Sequence, residues 1–561
     1  MTLGSMGTRS DGEPDHDRAS TAGDRWLARL VWTGAALLLL TGLGGVDLWA
    51  PDEPRYAAVA EELRSFQHGP RGLALLHLGG AAYTQKPPLY FWLAALAGAP
   101  GGAVTEWAAR LPSALCGVAT VGLVMQFGTG LLGRRSGAYA GLLLLTAFEF
   151  AHLARRAQLD VLLTLLELIA MLAFWRAVAD SPRRRDVAWL HSALGLAVLA
   201  KGPVGLLVPA LVMGAWLAGS GRWGLLRALA PPWALVLSLG PGLTWAAIAF
   251  SFAPAGSFED AVGVNLLGRF IAGSSHARSI LYFFYQFPIN FLPWTLLWPI
   301  VGWTAVRRVF VPDGDPSRRR AWSFLLLWVG VHLLFFSISA GKRGLYLLPA
   351  FPAAALLCSD ALVSRLAEPR RAPRWLRPAL AGAAILLPLV ALAAAAGDPG
   401  GIDVPWYFGA AILAIAALAS GAWAWAGRSA AAGWPRAIVV AVAVAAAELA
   451  TFTLALPALD PEKSPRPVAA SAAALAAPGE AIGLAFKATL LGGLVYYADR
   501  PVVLLDEPAA IASFVSRGGR VIVLPAAKLA EVTSIAPVVV RARTRHGQRA
   551  LLVVTPRDPE P

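Results

Sequence analysis

The sequence predicts an all-α polytopic membrane protein of about thirteen transmembrane helices, closed by a small α/β domain at its C-terminal end. Three observations predict it. First, 57% of the 561 residues are hydrophobic and 15% are charged, with a mean hydropathy of +0.59. A soluble chain is about half apolar and about a quarter charged. Second, the apolar residues are clustered. Runs such as LVWTGAALLLLTGLGG and ALAGAAILLPLVALAAAA reach the length that crosses a hydrocarbon core. Within such a core every backbone polar group must be paired inside its own segment, so these runs should be helices. Third, the composition changes after residue 457.

The elements follow in chain order. Residues 1–28 are polar and mixed in charge, and read as a disordered cytoplasmic tail rather than a signal peptide. Candidate spans occupy 30–48, 109–132, 136–152, 157–178, 187–200, 203–218, 226–250, 286–306, 321–339, 345–364, 378–396, 406–426 and 436–457, all within a membrane domain at 29–457. Two of them, 187–200 and 203–218, are short for a full crossing. The run 88–100 is shorter still and starts at Pro87 and Pro88, as a re-entrant or interfacial helix would.

Charge orients the set. Arg134, Arg135, Arg183 to Arg185, Arg222, Arg227, Arg307, Arg308, Arg318 to Arg320, Arg370, Arg371, Arg374 and Arg377 fall in or beside connections that share one side. By the positive-inside rule that side is the cytoplasm. The same rule accounts for the net charge of +14. Nucleic-acid binding is excluded because no basic patch is interleaved with stacking aromatics.

The first outer loop (49–108), a turn at 153–156, Lys201, the large loop 251–285, and segments 340–344 and 397–405 then face outward. WAPDEPRYAAVAEELRSF predicts a helix capped by Asp52 and lying flat on the membrane, with Tyr56, Val59, Ala60, Leu63 and Phe66 at helical spacing. In 458–561, LVYYADRPVVLLDEPAAIASFVSRGGRVIVLPA reads as strand, turn, helix and strand, and VVVRARTRHGQRALLVVTP as a terminal hairpin. This unit is expected to be soluble and extracytoplasmic. Cys116 and Cys358 lie in apolar runs and read as core residues.

Ionisable residues at the ends of membrane helices are costly and mark function. The outward set comprises Asp52, Glu53, Arg55, Lys86, Arg155, Arg156, Asp160, Lys201, Arg269, Lys342 and Arg343. Outward Lys342 and Arg343 run against the positive-inside trend, which points to an anionic partner. Cations suit phosphate, and Arg suits it bidentately. Carboxylates suit a general base, a metal or sugar hydroxyls. The bland alternative for each residue is an internal salt bridge. His68, His77 and His276 are too scattered to make a metal site.

The stretches PDEPRYA (51–57), YTQKPPLYFW (83–92), RLPSAL (110–115), RRAQLD (155–160), KGPVG (201–205) and KRGLYLLPAFP (342–352) resemble, in order, the bacterial aminoarabinose transferases, within the wider group related to protein O-mannosyltransferases. The resemblance implies a GT-C membrane fold in the bacterial inner membrane with an outward-facing active site. It implies an inverting glycosyltransferase that takes a sugar from a polyprenyl-phosphate donor and delivers it to lipid A or another envelope glycolipid. It also implies roles: Asp52 and Asp160 as the acidic catalytic residues with Glu53 beside them, and Lys86, Arg55, Tyr83, Lys201, Arg269, Lys342, Arg343 and Tyr346 on the donor phosphate. In the family a Glu and a His have been linked to a divalent metal. Gln85 and Asn265 stand in their places here, which weakens the case for that metal and leaves no certain cofactor. A monomer is expected, in contact with membrane lipids, the lipid-linked donor and an envelope lipid or protein acceptor. The competing functions are a protein O-glycosyltransferase and a transporter or flippase for an anionic lipid. The latter would place its charges near the midplane at broken helices.

Overall fold

The computed structural model describes residues 15–179, 181–259, 263, 268, 277–311, 315–367, 375, 378, 380–382, 385, 406–426, 433–547 and 549–557. The expected span 378–396, for the most part, and the segment 397–405 lie outside the described residues.

The chain is mostly helical. In order come α1 (Asp15–Leu40), α2 (Asp52–Arg64), α3 (Leu89–Gly98), α4 (Glu106–Leu132), α5 (Arg134–Leu145), α6 (Phe148–Ala154), α7 (Leu159–Ala179), α8 (Arg184–Lys201), α9 (Val204–Gly219), α10 (Pro232–Phe252), α11 (Tyr282–Asn290), α12 (Trp298–Ala305), α13 (Pro316–Ile338), α14 (Phe351–Ala367), α15 (Trp406–Ala426) and α16 (Gly433–Ala450). Among the described residues seven helices are long and apolar enough to cross a membrane, or nine if each of two bent pairs counts as one span. The second of the two bends falls at a proline, where a helix is interrupted. α5 and α6 meet at 68°, and α11 meets the segment Trp294–Phe310 at 107° across Pro293.

The first helix departs from expectation at both ends. It begins at Asp15, inside the stretch read as a disordered tail, and it stops at Leu40 rather than near 48. Ala, Leu and Arg are good helix formers, so the apolar half propagates backward. Gly42, Gly44 and Gly45 then end it.

The helical core is closed by aromatic contacts. Phe174 of α7 lies 5.8 Å from the Trp216 ring of α9 and 5.9 Å from the Phe324 ring of α13. Deeper in, Glu167 of α7 and His332 of α13 meet at 3.0 Å with both side chains buried.

Between α1 and α4 the chain forms a compact outer layer of α2, a short hairpin of β1 (His77–Leu78) and β2 (Ala81–Ala82), and α3. Tyr90 and Phe91 of α3 are fully buried against Tyr56 of α2. Burial of an aromatic of this size stabilises by roughly 1.5–3 kcal/mol. α2 is therefore a packed helix and not the surface-lying one expected: nine of its residues are buried. Nor does Asp52 cap it. Pro51 holds the cap position, with no side-chain capping bond.

After α16 follow α17 (Arg466–Leu475), β3 (Ile482–Ala485), α18 (Leu491–Ala498), β4 (Val502–Leu505), α19 (Pro508–Ser516), β5 (Val521–Pro525), α20 (Leu529–Ile535), β6 (Val538–His546) and β7 (Arg549–Pro556). The five strands form one sheet in the order β4-β3-β5-β7-β6. β3 runs parallel to β4 and β5, while β7 runs antiparallel to β5 and β6. Alternate residues feed two cores, Leu551 and Val553 on one face and Leu552 and Val554 on the other. The stretch LVYYA, where the strand–turn reading began, is helical and forms α18.

This unit is bonded to the outer layer. Asp460 accepts from the backbone N–H of Asp47 and from Trp49 Nε1. The Leu48 N–H donates to Tyr497 Oη at 2.7 Å. Arg466 pairs with Asp47 and Glu106. A methyl group on Gly492 would come within 2.4 Å of Arg55 Cα, so α18 lies directly on the backbone of α2.

Candidate active site

Six segments converge on one cavity: the first turn of α2, the bend at Gln85 and Lys86 after the β1–β2 hairpin, the turn into α7, the last residue of α8, the connection from α13 to α14, and the short turn before α18. The cavity has a volume of about 240 Å3. Four cations, Arg55, Lys86, Lys201 and Arg343, and two carboxylates, Asp52 and Asp160, line it together with Tyr56 and Tyr346. An excess of positive charge in a partly enclosed site favours an anion.

The carboxylates are held in separate pairs. Arg343 Nη2 donates to Asp52 Oδ2 at 2.7 Å, and Arg55 Nη1 stands 3.9 Å from Asp52 Oδ1. Burial works to raise the Asp52 carboxyl, but Arg343, with Arg55 and Lys86, holds it below its usual value of 3.8. Asp160, in the first turn of α7, is bonded by Lys201 Nζ. That ammonium also sits over the Tyr346 ring, 4.7 Å from its centroid, a favourable place for a cation. Tyr56 is buried beside both carboxylates, and burial first and Asp52 next raise its phenol well above the usual value.

Other expected residues are placed elsewhere. Glu53 turns away from the cavity. It accepts from Arg110 Nε at 2.8 Å and Nη2 at 3.1 Å, and from the N–H of Ala157 at 3.0 Å. Arg110 in turn donates to the carbonyls of Leu43, Val46 and Asp47. Glu53 is thus spent on a buried knot joining α2, α4 and the chain before α7. Lys342 also faces away, donating to the carbonyls of Ser339 and Arg278. Its neighbour Arg343 has extended backbone, φ −131° and ψ 142°, so adjacent side chains point to opposite sides. Arg155 donates to the carbonyls of Leu38 and Thr41 and covers the Phe452 ring. Arg156 lies over the Trp49 ring at 5.2 Å. Tyr83 is buried against Phe91 outside the cavity wall. Arg269, Asn265 and His276 lie outside the described residues.

Three polar lining groups were not singled out from the sequence as site residues. Tyr56 and Gln158 sit inside the motifs PDEPRYA and RRAQLD, so a signal for them was present. Thr489 comes from the C-terminal unit and had none.

The described lining residues assemble no divalent-metal site. The cavity's carboxylates are taken by cations, Gln85 brings a neutral amide, and among the described residues no group of three His, Cys, Asp or Glu side chains is gathered as a metal site would need. His68 and His77 are stacked at 3.6 Å beside Glu62, away from this cavity.

Residues 85–245 match the family model of dolichyl-phosphate-mannose-protein mannosyltransferase. An undecaprenyl phosphate-α-4-amino-4-deoxy-L-arabinose arabinosyl transferase of Pseudomonas savastanoi pv. phaseolicola is 31% identical over 342 residues, covering 60% of this chain and 61% of the relative. One of the same description from Enterobacter sp. is 27% identical, covering 64% of each chain. The match thus spans about three-fifths of the length of such relatives. The crystal structure of ArnT from Cupriavidus metallidurans bound to undecaprenyl phosphate superposes with a TM-score of 0.71 at 23% identity, over 95% of this chain and 98% of that one. The archaeal oligosaccharyltransferase AglB from Archaeoglobus fulgidus follows at 0.52 and 14%, over 90% and 69% of the two chains. The resemblance carried by the sequence motifs is borne out, and the fold is that of the ArnT and AglB structures.

Proposed function

We propose that this protein is an inverting glycosyltransferase of the bacterial inner membrane. It moves a sugar from a polyprenyl-phosphate donor to an extracytoplasmic acceptor, lipid A or another envelope glycolipid. The observation that carries the reading is the cavity in which Arg343, Arg55, Lys86 and Lys201 surround two paired carboxylates. The curated relatives named for arabinosyl transfer from undecaprenyl phosphate support the same donor class.

The donor's phosphate is attracted by the cations. The acceptor oxygen attacks the anomeric carbon, the bond from that carbon to the phosphate oxygen breaks, and the polyprenyl phosphate leaves with the electron pair. Charge grows on the leaving oxygen, where prepositioned cations stabilise the transition state more than the ground state. Asp52 orients the acceptor. While Arg343 holds it, its carboxylate is a weak base. When Arg343 turns to the incoming phosphate, burial remains as the chief influence and the carboxyl's proton affinity rises as a base is needed. A hydroxyl acceptor requires that base. A phosphate acceptor, already an anion, does not. Asp160 keeps Lys201 in place over Tyr346.

The membrane arrangement belongs to the same proposal. About thirteen crossings put the N-terminal tail and the arginine-rich connections in the cytoplasm. They put the cavity and the unit from residue 458 onward outside.

The test is direct. Purified protein in detergent is given a polyprenyl-phosphate sugar and lipid A, and release of polyprenyl phosphate is followed with the mass gain and anomeric configuration of the product. Folded protein that transfers no sugar from any lipid-linked donor would overturn the proposal. A peptide acceptor in the same assay decides for protein O-glycosylation, which the family match over 85–245 favours as the second reading.

A further inference from the structure

The C-terminal unit does more than cover the membrane domain. α18 runs beside α2 in the same direction. Gly492, in its first turn, meets the backbone of Arg55, in the first turn of α2. Val495 and Tyr496, a turn later, line a second, larger cleft with Ala58, Glu61 and Glu62 of α2. Both helices therefore bring their amino-terminal ends to the cation-lined cavity, and the amino end of a helix favours an anion. The residue that reaches the cavity from this end is Thr489, in the single turn Ala488–Leu490 that leads into α18. Its side chain is exposed, and among the described residues its hydroxyl has no hydrogen-bond partner.

We propose that Thr489 is a donor-binding residue whose hydroxyl donates a hydrogen bond to the phosphate of the lipid-linked sugar, so that the C-terminal unit completes the reaction cavity. The backbone contact between Gly492 and Arg55 sets the distance between this hydroxyl and the cations, since neither backbone can yield as a long side chain would. The inference rests on reading the cavity as the donor site. It goes beyond that reading by assigning a contact to a unit that carries none of the other charged or aromatic groups in the cavity.

The experiment measures undecaprenyl phosphate binding to the full-length protein in detergent. Thr489→Val keeps the shape and removes the hydroxyl. It should weaken binding roughly tenfold, the worth of one hydrogen bond to a charged group. Thr489→Ser should restore affinity to within about twofold, since it keeps that donor. Thr489→Cys adds a second readout. Cys116 and Cys358 are both buried, so a water-soluble thiol reagent should label position 489 selectively, and undecaprenyl phosphate should protect it. If wild type binds the lipid, Thr489→Val binds equally well and Thr489→Cys is labelled at the same rate with and without lipid, the assignment of Thr489 is wrong and the donor reading stands. If wild type does not bind the lipid at all, the donor reading fails and takes this inference with it.

Discussion

Asp52 and Glu53 are neighbours in sequence, both acidic and both buried, yet the structure gives them different work. Replacing Glu53 with Gln tests that division. The Glu53 side chain is 2% exposed and that of its partner Arg110 5%. Breaking a buried pair by removing one charge costs about 3–5 kcal/mol, because the other is left uncompensated. A second route gives a similar figure. Burial raises the Glu53 carboxyl, but Arg110, Arg156 and the Ala157 N–H overcome this and hold it at about 2, against its usual 4.5. At neutral pH that difference corresponds to about 3 kcal/mol. The amide of Gln still accepts a hydrogen bond, so the lower end of the range, about 3 kcal/mol, is expected.

The folded-state value is depressed, so this stability is complete above the unfolded value near 4.5 and is lost as pH falls toward about 2. The assay is thermal unfolding in detergent, with turnover per folded molecule measured below the transition. Glu53→Gln should lower the Tm by several degrees while the folded fraction turns over within a fewfold of wild type. A variant that unfolds like wild type but has lost turnover would show that Glu53 takes part in the reaction and that its pairing with Arg110 is incidental.

Three further outcomes follow from the same geometry. Asp52→Asn and Asp160→Asn should each lower transfer by about a hundredfold or more, counted per folded molecule because each also leaves a cation of an ion pair uncompensated. Donor affinity should change little for Asp52→Asn, and abolished donor binding there with normal binding in Asp160→Asn would reverse the two roles. Arg343→Gln removes the chief influence lowering Asp52 and leaves burial to raise it, so the acid limb of kcat/KM should move to higher pH; an unmoved limb would mean that Asp52 is not the group titrating. Reporter fusions after Ser317 should read cytoplasmic and those after Lys463 extracytoplasmic, and fusions reading the same side would sink the thirteen-span topology.

What the sequence made legible here were residues whose chemistry is at odds with their surroundings. Asp160 and Lys201 stand at the ends of apolar runs, and such positions are tolerated only with a partner or a task. The structure pairs them with each other. What it did not make legible was direction. The dipeptide at 342–343 offers two cations, and its extended backbone sends Arg343 into the cavity and Lys342 to the carbonyls of Ser339 and Arg278. The run DE at 52–53 divides in the same way, because successive helical positions are rotated by roughly 100°. Neither division can be read without knowing which face of each segment meets its neighbours. The broken helices were hidden for a different reason. A hydropathy run counts apolar residues whether or not the backbone between them is straight, so 136–152 and 286–306 read as single spans although they bend by 68° and 107°.

The arrangement of the charges also favours the proposed transferase over a lipid carrier. A carrier must let an anion pass and needs its cations along a path, with binding groups at broken helices near the midplane. Here the cations of the cavity are fixed from several sides. Lys201 is bonded to Asp160 and seated over Tyr346, and Arg343 is bonded to Asp52. Arg55 is pinned through its backbone by Gly492 of a different part of the chain. Such restraint raises the cost of moving Lys201 or Arg55 with a travelling ligand. It lowers the cost of stabilising charge that develops at one point, because the groups are already in place when the leaving oxygen acquires it. The one pair whose exchange would be useful is Asp52 with Arg343, since its opening gives the phosphate a cation and the acceptor a stronger base in one motion.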